Sequence, residues 1–110
     1  MPFYDKLVRD SIPAIIGRDG KNYSTRILET QEFQEEVKKK LEEELIEYRA
    51  TANDQDALEE LADLLELIHA AAEIHGASFE ELEEIRAKKA AKRGGFKERI
   101  FLIEVEDDKT

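Results

Sequence analysis

From Phe33 to Ile74 the apolar residues recur at helical spacing in two runs, interrupted only around Asn53-Asp54. No other feature constrains the fold as tightly. A period of about 3.6 residues commits each run to helix, and the short break makes the two helices antiparallel neighbours. The first run spans Thr30 to Ala52, with Thr30 as its expected N-cap and Phe33, Val37, Leu41, Leu45 and Tyr48 on one stripe. The second, Asp56 to His75, carries two stripes: Leu58, Leu61, Leu65, Ile68 and Ala72, and then Leu64, Leu67, Ala71 and Ile74. A helix apolar on two sides is expected to be buried on two sides, in a bundle or across an interface between copies.

The flanks are read from shorter signals. Pro2 to Pro13 is an extended or irregular lead-in, and Pro13 opens a brief helix to Gly17. Asp19-Gly20 marks a turn, and Tyr23–Leu28 alternates as a short strand. Gly76 suits the left-handed position after a helix, and Ser78 with Glu81 forms a capping box for a third long helix to Arg93. Phe96–Val105, centred on Ile100-Phe101-Leu102-Ile103, reads as a second strand that pairs with Tyr23–Leu28. The expectation is a mainly α single domain over residues 1–110. It comprises a helical bundle with a small peripheral β-hairpin or short strands, associating through its helices as a homodimer or homotetramer.

Charge is distributed unevenly. The 110 residues include 27 acidic and 17 basic side chains, a net charge of −10. Residues 29–66 alone hold 14 acids against four bases, so the whole excess lies in the two central helices. An acidic balance argues against a nucleic-acid polymer as partner, because phosphate backbones select basic surfaces. The sequence has no cysteine. That excludes a disulfide scaffold, a thiolate zinc site and a cysteine nucleophile, and fits the cytoplasm. No apolar run approaches the roughly 18–20 residues of a membrane span, and no signal-peptide core is evident at the N-terminus.

Projecting the first helix at about 100° per residue, with Leu41 at zero, spreads its apolar stripe from roughly −80° to +40°. Glu44 falls inside it near −60°, Glu47 at its edge near −120°, and Glu43 on the wet side near 200°. A carboxylate among apolar neighbours is costly unless it is paired or binds a cation. Glu60 lies at the end of one stripe of the second helix, one turn before Leu64, with Asp63 nearer the polar face. Glu44/Glu47 and Glu60/Asp63 are both spaced i, i+3, which stacks each pair on one helix face. An antiparallel hairpin brings the two pairs to similar depth beside the turn. Converging carboxylates make a hard-oxygen site for Mg²⁺ or Mn²⁺; a solvated acidic face is the plainer alternative. His69 and His75 read as core or capping residues.

Glu43-Glu44-Leu45-Ile46-Glu47, then 12 intervening residues, then Glu60-Leu61-Ala62-Asp63 resembles the EExxE…ExxD pattern of the all-α nucleoside-triphosphate pyrophosphohydrolases. That superfamily includes MazG-like proteins and phosphoribosyl-ATP pyrophosphohydrolase. Lys6-Leu7-Val8-Arg9-Asp10 with Ile12-Pro13, and Arg93-Gly94-Gly95-Phe96 before Arg99-Ile100, are similar to the two ends of a small MazG-like subgroup. Ser11 departs from it, where a basic residue is expected. The resemblance implies Mg²⁺ or Mn²⁺ on Glu44, Glu47, Glu60 and Asp63, with Glu43 orienting water. It also implies hydrolysis of a nucleotide between its α- and β-phosphates to a monophosphate and pyrophosphate, in house-cleaning or biosynthesis.

Residues 88–99 hold six bases against one acid. Lys88, Lys92 and Arg93, with Lys6 and Arg9, are candidates for substrate phosphate. Bases near a helix C-terminus are also favoured by the helix dipole alone. Two rival readings stand beside the enzyme: a non-catalytic helical interaction module, and a degenerate member that binds nucleotides without cleaving them.

Overall fold

The computed structural model describes residues 5–107. In order they form α1 (Ile12–Arg18), α2 (Thr30–Arg49), α3 (Asp54–Ile74) and α4 (Phe79–Arg93). The part of the lead-in before Asp5 lies outside the described residues. The chain falls into two compact units that divide between Phe79 and Glu80. In the first unit α2 and α3 pack on each other as the antiparallel hairpin that the apolar spacing requires. No helix among the described residues is long and apolar enough to cross a membrane.

Local chemistry sets the ends of these helices. Phe33 N–H donates to the Glu29 carbonyl at 2.8 Å, so Glu29, not Thr30, is the N-cap of α2, and Thr30 is its first helical residue. The cap position belongs to the last extended residue, whose ψ of 162° is found at Glu29. At the other end α2 stops at Arg49 instead of running to Ala52. There Thr51 turns its hydroxyl and its N–H onto the Tyr48 carbonyl, at 2.7 and 3.2 Å. Asn53 caps α3: its side-chain oxygen accepts from Asp56 N–H at 2.9 Å while its amide donates to the Asp56 carboxylate at 3.0 Å. Gly76, at φ 77°, terminates α3 as expected. Ala77 N–H reaches the Ala72 carbonyl and Gly76 N–H the Glu73 carbonyl, both at 3.0 Å, which is the paired closure of a Schellman motif.

The apolar centre of the hairpin is small. Val37 is 1% exposed and Ala72 is also buried. Val37 and Leu41 meet Ala71 and Ile74 at the end of the hairpin away from its turn. The two stripes of α3 have separate fates. Leu64, Leu67, Ala71 and Ile74 are half-buried, whereas Leu58, Leu61, Leu65 and Ile68 are exposed. Ala72, the last member of the stripe that starts at Leu58, is buried, so a single chain leaves the first four positions of that stripe uncovered.

The expected β-hairpin does not form: no strand occurs among the described residues. Side chains anchor Tyr23–Leu28 in place of a backbone ladder. Arg26 holds Glu32 through both guanidinium nitrogens, at 2.9 and 2.6 Å, and Tyr23 lies against Gly17. Phe96–Arg99 closes a turn with Arg99 at φ 57°, which breaks the extended run at its start, and Ile100–Val105 continues exposed. β-propensity is realised only where a second strand offers its N–H and C=O groups, and a lone two-stranded hairpin is marginal in water.

Candidate metal centre

Three of the four carboxylates singled out in the sequence come together. Glu44 and Glu47 from α2 and Glu60 from α3 each place one oxygen within 4.8 Å of the others. The i, i+3 spacing stacks the α2 pair, and the tight turn at Asn53 sets Glu60 level with it. The buried face of α2 is rotated from its apolar stripe toward the acidic side. Glu44 is only 7% exposed, while its neighbour Leu45 is 50% exposed. Helix–helix contact, rather than the mean direction of apolar residues, decides which face is covered.

The electrostatic state of this cluster is unfavourable as it stands. Glu44 Oε2 and Glu60 Oε2 are buried without a hydrogen-bond partner. A buried polar atom left unpaired costs on the order of 1–3 kcal/mol. Burial pushes the Glu44 carboxyl above its ordinary value, and the neighbouring Glu60 carboxylate adds to this, since two like charges side by side disfavour ionisation. Contact with Glu47 pulls it back down, and the charge of Asp63 raises it further. Lys40 is the nearby base: its Nζ lies 3.8 Å from Glu44 Oε1 and 3.6 Å from Glu43 Oε2, too far for hydrogen bonds. Its i, i+4 spacing to Glu44 makes the pair legible in the sequence.

Asp63 is held elsewhere. Its Oδ1 pairs with the Arg9 guanidinium at 2.5 Å, across 54 residues of chain. Arg9 was singled out for substrate phosphate, and nothing in its spacing announces this contact. Glu43 is exposed on the wet side of α2. Lys6 is exposed near the beginning of the described chain, and Lys88, Lys92 and Arg93 are exposed on the C-terminal half of α4 in the second unit. His69 stacks on Phe79 with ring centroids 3.8 Å apart, and His75 is the C-cap of α3, so both act structurally.

The donor set suits a hard divalent cation. All three side chains offer carboxylate oxygen, and two of the oxygens are buried orphans that a cation would satisfy. Such a cluster could bind a metal ion. No protein family, curated protein or solved structure matches the chain.

Proposed function

We propose that the chain is a nucleotide pyrophosphohydrolase that uses Mg²⁺ or Mn²⁺ held between α2 and α3 to hydrolyse a nucleotide between its α- and β-phosphates. The observation that carries this reading is the buried Glu44 carboxylate, with an orphaned oxygen, facing Glu47 and Glu60. A cation bound there would offset the charge of cluster and polyphosphate together and polarise the phosphoanhydride. Glu44, Glu47 and Glu60 hold the ion, and Asp63, one turn beyond Glu60, completes the set. Glu43, exposed and adjacent to Glu44 in sequence, is the base that would accept the attacking water's proton. The water oxygen bonds to phosphorus as the anhydride P–O bond breaks, and monophosphate and pyrophosphate separate. Lys6 and Arg9, in the same unit as the cluster, supply cations for the substrate's phosphates. The cysteine-free chain suits a cytoplasmic setting.

A second reading is favoured by the exposed face of Leu58, Leu61, Leu65 and Ile68, which suits a helical module working by self-association as a homodimer or homotetramer. One experiment separates the two. Canonical and modified nucleoside triphosphates are incubated with the protein and Mg²⁺ or Mn²⁺, and monophosphate and pyrophosphate are scored. The enzyme reading expects turnover that falls on the order of 100-fold in Glu44→Gln and in Asp63→Asn. Full activity in both variants removes the site. No turnover, with no metal response and a multimeric mass by light scattering, leaves the module.

A further inference from the structure

The contact between Arg9 and Asp63 has a sense that the metal reading alone does not supply. Asp63 sits one helical turn from Glu60, close enough for its charge to raise the Glu44 carboxyl. It is nonetheless outside the trio of converging oxygens, and its Oδ1 faces a guanidinium instead. Arg9 is not part of the hairpin. It lies in the segment before α1, where its carbonyl accepts from Ile12 N–H at 3.1 Å. Both side chains keep substantial access to water, 59% for Arg9 and 39% for Asp63. Water screens such a pair, so parting it costs little compared with parting a buried one.

We infer that Arg9 is a stand-in cation for Asp63, an exchangeable partner that occupies the carboxylate until a divalent ion claims it. Cation loading and the docking of the N-terminal segment on α3 are then mutually exclusive at Asp63. A guanidinium neutralises one unit of charge at one carboxylate. A divalent ion neutralises two and reaches three more carboxylates, including the two orphaned oxygens that Arg9 leaves unsatisfied. Loading therefore frees the segment around Arg9. The argument rests on the metal reading for the identity of the competitor, while the contact itself does not.

The sign of one measurement tests the inference. Mn²⁺ affinity is measured by electron paramagnetic resonance for the wild-type protein, Arg9→Ala, Arg9→Lys and Glu44→Gln, with hydrogen exchange followed over residues 5–11. Competition predicts that Arg9→Ala binds Mn²⁺ about two- to fivefold more tightly, the range a solvent-exposed ion pair supports. Arg9→Lys, which keeps the charge, stays near wild type. In the wild-type protein Mn²⁺ speeds exchange over residues 5–11, and in Asp63→Asn the segment exchanges fast with or without the ion. Unchanged or weaker Mn²⁺ binding in Arg9→Ala overturns the inference and leaves the metal site standing. Wild-type protein that binds no Mn²⁺, or binds it as well after Glu44→Gln, overturns the metal reading and this inference with it.

Discussion

The two ends of the α2–α3 hairpin bury opposite chemistries. Away from the turn, Val37 lies with Leu41, Ala71 and Ile74, Ala72 is buried as well, and these apolar side chains gain from leaving water. Beside the turn, the same two helices enclose Glu44 against Glu60, and the buried atoms include two carboxylate oxygens without partners. One end stabilises the hairpin and the other draws on that stability. A helix pair with so small an apolar centre has little to spare, so the acidic end is intelligible as a site that a cation completes. The contrast also explains why Leu45 is outside and Glu44 inside. The interhelical contact runs along a line that is apolar at one end and acidic at the other.

Three measurements break or sharpen this contrast. The largest effect is expected at the acidic end. Mg²⁺ or Mn²⁺ at about 100 times its dissociation constant should stabilise the protein by about 2.7 kcal/mol, and Glu44→Gln should lose that response. Thermal melts with and without chelator check it, and equal melting of both proteins with metal would erase the distinction between the ends. Next in size is the apolar end. Val37→Ala should cost about 2 kcal/mol in urea unfolding and leave cation affinity unaltered, because the cavity opens away from the carboxylates. A parallel loss of cation binding would mean that the two ends are one cooperative unit.

The smallest effect is in the pH dependence of the metal-free protein. Glu44 has its proton affinity raised by folding, so the folded chain holds that proton more tightly than the unfolded chain does. Stability from this group is complete below the ordinary carboxyl value of 4.5 and is lost as pH rises through the higher folded value. Glu44→Gln should therefore match wild type below the ordinary carboxyl value, where both side chains are neutral, and be the more stable of the two at neutral pH. Comparing the two proteins cancels Glu32 and Glu83, whose carboxyls Arg26 and Arg86 hold below the usual range. Parallel pH curves for the two proteins would place Glu44 in water.

Much of this was legible in particular residues. The α2–α3 hairpin follows from apolar spacing and the break at Asn53, and Gly76 ends α3 where a left-handed residue was expected. Glu44 was conspicuous because a charge recurred in phase with apolar residues, and Glu60 because it stood at the end of a stripe. The strands failed for a definite reason. Tyr23–Leu28 and Phe96–Val105 have the composition of strands, but a strand is a relation between two segments, and composition describes each segment alone.

The amino-acid sequence by itself determined the long helices, the stop of α3 at Gly76 and the confinement of the acidic excess to two of those helices. These are consequences of local geometry, in which each residue's partners lie within a turn or two along the chain. Only the tertiary structure decided that Leu45 faces outward beside buried Glu44, that Leu58, Leu61, Leu65 and Ile68 of α3 stay exposed, and that Arg9 rests on Asp63. Those outcomes depend on which surfaces meet across 16 or 54 residues of chain, and no local periodicity encodes that meeting.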